Sequence, residues 1–253
     1  MDPVPTPIQH IILAEQLLSD STLPASLRDE LRAQRGAFLF GNTAPDVQVV
    51  SNQLREATHF FQIPFDSTPQ PHRTLFKTFP ALARARSPPA AHAAFIAGYI
   101  CHLWLDIIWV RDIYLPAFGP DARWDTMRDR LLFHNILRAW CDQNDQRQLN
   151  TDTGAILATA QPRKWLPFTA DAYLREWRDH LAEQFHPGAT IRTVEVFAAR
   201  NRVAPEEFHR VLGSPAELDR LIFAHAAREK IESFYHTGHD EMAGLIVEYF
   251  SNE

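Results

Sequence analysis

The residues of this chain best suited to chemistry are histidine and aspartate side chains within its first 110 positions. Imidazole and carboxylate groups together are typical ligands of zinc, and manganese or iron accept similar sets. The sequence therefore predicts a metal site assembled from separate segments of the N-terminal half. The predicted ligands are His10, Asp46, His59, His102 and Asp106.

His102 and Asp106 carry the most weight, because they interrupt an otherwise apolar stretch, residues 93–110. A helix that is apolar on every side is normally buried, and a buried carboxylate is costly unless it is paired. The i,i+4 spacing places both side chains on one helical face, with Cβ atoms roughly 5–6 Å apart. A buried His–Asp hydrogen bond would satisfy this pair alone, whereas the other three residues favour a metal.

Composition excludes several classes of protein. Of the 253 residues, 45% are hydrophobic and 22% are charged, as in an ordinary globular chain. The net charge of -6 argues against a generic nucleic-acid binder. Two cysteines, Cys101 and Cys141, form no disulfide framework, and no secretory leader is recognisable, so we expect a cytoplasmic protein. Because His102 and Asp106 break the longest apolar stretch, we expect no transmembrane segment.

Helix patterns dominate the chain, and no alternating strand pattern exceeds four residues. We predict an all-α fold with a single domain over residues 1–253, comprising a metal-site half at about 5–115 and a helical half at about 120–253. The segment Thr6-Pro7-Ile8-Gln9 has the signature of a helix start. Further helices are predicted at about 26–34 (ending at Gly36), 89–114, 124–142, 171–185, 204–212, 214–235 and 239–251.

Three segments together resemble the zinc-dependent phospholipase C family, which is similar in fold to the S1/P1 nucleases. They are Gly41-Asn-Thr-Ala-Pro-Asp46, Thr58-His-Phe-Phe61 and Ala97-Gly-Tyr-Ile-Cys-His-Leu-Trp-Leu-Asp106. The resemblance covers about residues 5 to 115. It implies an all-α fold with a zinc cluster at the bottom of a cleft.

The resemblance also implies roles for single residues. Asp46, His59, His102 and Asp106 match the ligands of the family's first zinc; Asp106 corresponds to the bridging aspartate and His10 to an N-terminal histidine ligand. Family members supply a further histidine shortly after the helix aspartate, where this chain has Val110 and Asp112. We therefore expect one or two zinc ions rather than three. Residues that could complete a second site are Asp112, His134 and the pair His225/Glu229.

These features predict a metal-dependent hydrolase of a small-molecule or lipid phosphoester, a phospholipase C-like phosphodiesterase. Asp46 would orient or deprotonate the attacking water. The alternative is a non-catalytic relative that retains a metal and serves as an interaction module. Two other motifs compete less well. His239-Asp240 begins a phosphohydrolase pattern that the remaining chain cannot complete, and Glu-x-x-His repeats typical of di-iron bundles leave Asp46, His102 and Asp106 unexplained.

Overall fold

The computed structural model describes residues 3–186, 188 and 192–251, and no β-strand occurs among them. The all-α prediction is thus confirmed. The longer helices, in chain order, are α1 (Pro7–Ser19), α2 (Ala25–Ala33), α3 (Arg35–Gly41), α4 (Pro71–Thr78), α5 (Ala90–Phe118), α6 (Met127–Asp145), α7 (Thr153–Ala158), α8 (Asp171–Gln184), α9 (Thr193–Asn201), α10 (Pro205–Leu212), α11 (Pro215–Leu218, extended by a π turn over Asp219–Phe223) and α12 (Arg228–Ser251). Single turns at Ala44–Val47, Gln48–Ser51, Glu56–His59, Pro80–Ala83 and Gln146–Gln148 connect them.

Helix α5 is the central element of the fold. It packs against α3 on one side and against α12 on another. Buried apolar side chains from Val4 to Phe250 form one continuous cluster around it. By length and hydropathy α5 is the one helix of the described chain that could cross a membrane, yet 94% of its most apolar window is buried inside the protein.

The end of α5 differs from the prediction. We expected the helix to stop near residue 114, but it continues to Phe118 through a π turn at Val110–Tyr114. Pro116 lacks the N–H group that would continue an α-helical hydrogen-bond ladder. The wider turn accommodates this defect, with the Leu115 N–H bonding to the Val110 carbonyl, so that the helix need not end.

The helix predicted at about 26–34 is confirmed as α2 (Ala25–Ala33), but the division predicted between residues 235 and 239 is wrong. Gly36 follows the end of α2 and lies within α3, a helix that the sequence did not predict; an added Cβ there would be 2.5 Å from the Ile156 carbonyl oxygen. The helices expected at 214–235 and 239–251 are instead α11 and the uninterrupted α12, in which Gly238 packs against Leu105. In both places the missing side chain permits close helix packing, which a sequence pattern cannot distinguish from a helix end.

The contact between α3 and α5 also depends on missing side chains. A Cβ on Gly98 would lie 2.3 Å from the Phe38 carbonyl oxygen and 2.8 Å from the Asn42 nitrogen. A Cβ on Gly41 would lie 2.1 Å from the carbonyl oxygen of α5 residue Phe95. The two backbones therefore touch, and this places Asn42 beside the face of α5 that carries the predicted ligands.

We expect Gly98→Ala to lower the free energy of unfolding by about 3 kcal/mol, at the upper end of the cost of overpacking a core, because backbone atoms of α3 cannot yield as a side chain would. Urea unfolding followed by circular dichroism measures this. The matched control is Gly244→Ala on α12, where an added Cβ meets nothing within 4 Å. That variant should be neutral or more stable by up to about 1 kcal/mol. Equal stability of the two variants would contradict the close packing of α3 and α5.

Candidate metal centre

The five predicted ligands come together in one buried cluster. Three separate segments approach the same face of α5, and the cluster lies where they meet. In chain order the contributors are His10 from α1, Asp46 from the turn Ala44–Val47, His59 at the end of the turn Glu56–His59, and His102 and Asp106 from α5.

Distances within the cluster fit a metal ion. His59 Nε2 lies 3.3 Å from His102 Nε2, 3.5 Å from Asp46 Oδ1 and 3.5 Å from Asp106 Oδ2. His102 Nε2 lies 3.8 Å from Asp106 Oδ2. In a tetrahedral zinc site with bonds of about 2.0–2.1 Å, neighbouring ligand atoms are separated by about 3.3–3.4 Å. The donor atoms are thus spaced as the ligands of one zinc ion would be.

The hydrogen bonds of the histidines point their free nitrogens into the cluster. His102 Nδ1 lies 2.9 Å from the Asn42 carbonyl oxygen and donates its proton there, as metal-binding histidines commonly do. His59 Nδ1 lies 3.3 Å from the Arg55 carbonyl oxygen and 3.0 Å from Thr58 Oγ1. In these tautomers both Nε2 atoms carry lone pairs that face each other. Two lone pairs at this distance repel each other, and a cation between them would be coordinated by both nitrogens.

His10 shows the clearest need for a further partner. Among the described residues, neither of its ring nitrogens has a hydrogen-bond partner, and neither has Asp106 Oδ1. His10 Nε2 lies 3.5 Å from that oxygen, and the His10 ring stacks on His102 with centroids 3.9 Å apart. Buried polar atoms without partners cost free energy. His10, His102 and Asp106 thus form a second group with metal-ligand spacing beside that of Asp46, His59 and His102.

The electrostatics of the cluster favour ligand forms of the side chains. Burial lowers the pKa of His10 to about 3 and that of His102 to about 4, so both imidazoles are neutral near pH 7 and can bind a metal. Burial acts to raise the pKa of Asp46, but close contact with His59, and the charges that His59, His102 and His10 acquire when protonated at low pH, outweigh it and lower that pKa. Asp46 is therefore an ionised ligand.

Arg55 belongs to the site but was not predicted from the sequence. Its Nη2 donates to Asp106 Oδ2 at 2.5 Å, and its guanidinium carbon lies 4.5 Å from the centre of the Phe61 ring. Burial raises the pKa of Asp106, and the Arg55 charge opposes that rise. Arginine is not a metal-ligand type, so a pattern of metal ligands does not predict it. The sequence feature that could have indicated its role is its position four residues, or about one helical turn, before His59.

The residues that could have completed a second site lie elsewhere. Asp112 pairs with its neighbour Arg111 at 2.6 Å. His134 Nε2 accepts a hydrogen bond from Trp109 at 3.1 Å. His225 stacks on the Trp124 ring. Within the described ranges, the groups with metal-ligand spacing contain none of these, nor Glu229.

A cavity of about 750 Å³ reaches the cluster, and Asp46 is the ligand that lines it. The segment leading into α1 forms one wall, and α6, α8 and α9 contribute the others. Trp177 on α8 also lines the cavity and donates to the Thr43 carbonyl oxygen at 2.8 Å. That bond ties the outer wall to the turn that carries Asp46.

Comparison with known families agrees with this geometry. The model of the family described as zinc dependent phospholipase C matches residues 9–109. Over these residues, 101 of the 253 in the chain, the protein is similar to the zinc-dependent phospholipase C family. The match ends within α5, includes every ligand position from His10 to Asp106, and supports metal-dependent hydrolysis of phosphoesters at the level of the family. Neither the curated proteins nor the solved structures compared with the chain gave a match.

Because the predicted ligands come from separate segments of the chain, metal binding should be coupled to folding. We expect chelation to lower the melting temperature of the metal-loaded protein by roughly 10 °C, because an ion that binds the folded state alone stabilises it by about 4 kcal/mol at 1,000 times its Kd. Asp106→Asn should reproduce this loss. The matched control is Asp240→Asn, on the surface of α12, which should leave melting unchanged. A melting curve that chelation does not move, in protein shown to hold metal, would contradict such a site.

Proposed function

We propose that this protein is a zinc-dependent hydrolase that cleaves a small-molecule or lipid phosphoester as a phospholipase C-like phosphodiesterase. The main support for the proposal is that Asp46 contacts both the predicted metal ligands and a cavity. Its carboxylate belongs to the metal cluster, and it also lines a cavity large enough for a substrate. A structural metal site is closed by protein ligands, whereas a catalytic site leaves room for water and substrate.

We infer that the site holds one or two ions, zinc in the first place, with manganese or iron also suited to imidazole and carboxylate ligands. The ring nitrogens of His10 and Asp106 Oδ1 have no hydrogen-bond partner among the described residues and are available for a second ion. Arg55 already places a positive charge on Asp106 Oδ2. That charge reduces the need for further cations at this carboxylate and favours the smaller number.

The metal, Asp46 and the residues that hold the ligands would have different roles in hydrolysis. A bound zinc ion would supply Lewis-acid activation of the phosphoryl group and of water, whose pKa falls towards ~7 in such sites. The Asp46 carboxylate, ionised and facing the cavity, would accept a hydrogen bond from the attacking water and orient it. The Asn42 carbonyl and Arg55 hold His102 and Asp106 in place, so the ligands are oriented before substrate binds.

The rival function is that of an interaction module whose metal is structural. The cavity beside Asp46 favours the enzyme.

We also propose a cytoplasmic location, supported by two buried free cysteines, Cys101 and Cys141. The net charge of -6 supports the absence of a stable nucleic-acid partner.

The test is a hydrolysis screen with metal-loaded and chelated protein. Bis(4-nitrophenyl) phosphate, 4-nitrophenyl phosphate and short-chain phospholipids cover diesters, monoesters and lipids. We expect turnover of a diester that disappears on chelation and returns with zinc. Absence of turnover on all three classes, in protein with a full metal content, would favour the interaction module.

A further inference from the structure

The cavity beside the metal cluster carries an excess of positive charge. Three arginines line it, Arg138, Arg192 and Arg200, against two carboxylates, Asp46 and Asp142. Asp46 belongs to the cluster of predicted ligands, which leaves Asp142, whose charge acts on Arg138, as the other carboxylate in a cavity with three arginines. Both oxygens of Asp142 also accept hydrogen bonds from threonine hydroxyls, one from Thr6 and one from Thr193. The wall is therefore positive overall.

Arg138 is the buried member of this group and is held in place. It is 6% exposed, its Nη1 donates to Asn135 Oδ1 at 3.2 Å, and its guanidinium carbon lies 4.6 Å from the centre of the Phe197 ring. Burial lowers its pKa to about 10, so it stays charged at neutral pH. Its charge also acts on Asp46, which lines the same cavity.

The outer arginines have no acidic partner of their own. Among the described residues, neither Arg192 nor Arg200 forms an ion pair, although both are on the cavity wall. Arg200 and Arg138 line the same cavity, and the repulsion between their charges acts to lower the pKa of Arg138. An anion between them would relieve that repulsion. A cavity lined by one sign of charge also concentrates ligands of the opposite sign.

Apolar side chains border the same cavity and limit what can occupy it. Val49, Leu131 and Val196 line it and are 54%, 38% and 41% exposed. Exposed apolar groups next to convergent polar ones are typical of a ligand site. The occupant therefore combines an anionic group with an apolar part.

We propose that the substrate is a phosphodiester whose alcohol carries a second anionic group, a carboxylate or a phosphate, and that Arg138 and Arg200 bind this group. The inference rests on the proposed function in one respect, because it places the scissile phosphate at the metal cluster beside Asp46. The second anion then lies farther along the cavity, on the guanidinium groups. Arg138 and Arg200 are thus specificity-determining residues.

Binding of small product analogues tests this without any need for turnover. O-phosphoserine and O-phosphoethanolamine differ by one carboxylate, and ethylene glycol bisphosphate and monophosphate differ by one phosphate. Each is titrated into the metal-loaded protein by isothermal calorimetry. We expect the more anionic member of at least one pair to bind about tenfold more tightly, as a hydrogen bond to a charged group allows. The pair that shows the preference identifies the anion.

Arginine variants show whether the preference comes from this wall. Arg200→Gln, at an exposed position, should reduce the preference to about twofold or less, and Arg138→Gln should do the same if circular dichroism shows it folded. Arg147→Gln is the matched control, since Arg147 is exposed and does not line the cavity. Equal binding within both pairs, or a preference that survives in Arg200→Gln, would overturn the inference. Selective binding without hydrolysis of any diester would contradict the proposed enzymatic function but would still support an anion-binding site at these arginines.

Discussion

Purified His102→Ala should contain at least about tenfold less zinc per chain than the wild-type protein after both are refolded with added zinc. His102 belongs to both groups of side chains that have metal-ligand spacing, so its loss affects either possible ion. Even changes in groups that only orient ligands cost metal sites 10–100-fold in affinity. Removing a ligand itself should cost more. Inductively coupled plasma mass spectrometry gives the metal content directly.

The control for this experiment is His239→Ala, because His239 lies on α12 and pairs with Asp20 rather than with the cluster. This variant should retain the wild-type zinc content. His10→Ala gives a finer result, since loss of part of the metal would indicate a second ion bound by His10. If wild type and His102→Ala both hold negligible zinc, the metal centre proposed here does not exist.

Asp46→Asn should lower the turnover of a responsive phosphodiester by about 10² or more, the usual contribution of a positioned general base. The substitution keeps the shape of the side chain and removes its charge. The remaining histidines and Asp106 should hold much of the metal, so that rate and metal content separate. The comparison needs initial rates on bis(4-nitrophenyl) phosphate and zinc content from the same preparations.

Asp66→Asn is the same substitution in an exposed loop and should leave the rate unchanged. Turnover that is equal in Asp46→Asn and wild type would show that the measured hydrolysis arises elsewhere, for example from a contaminating enzyme. A parallel loss of rate and metal would assign Asp46 the role of a ligand alone.

The candidate ligands were accessible from sequence because their residue types and spacing are local features, and three short segments carried the resemblance to the family. A histidine and an aspartate four positions apart in an apolar helix demand a partner, whatever surrounds the helix. Arg55 was missed because its contact with Asp106 joins residues 51 positions apart. Helix α3, which contains Gly36, was not predicted, and the break expected before residue 239 does not occur, because glycine serves close helix packing as well as helix ends.

The sequence by itself determined the helical class, the polar residues that interrupt α5 and the kinds of ligand they supply, since periodicity and side-chain chemistry are local properties. Tertiary structure alone decided that donor atoms from separate segments meet within a few ångströms, because that distance depends on how α1, α3 and α5 pack. It also decided the cavity that joins Asp46 to Arg138 and Arg200. The walls of that cavity come from segments of the chain more than 100 positions apart.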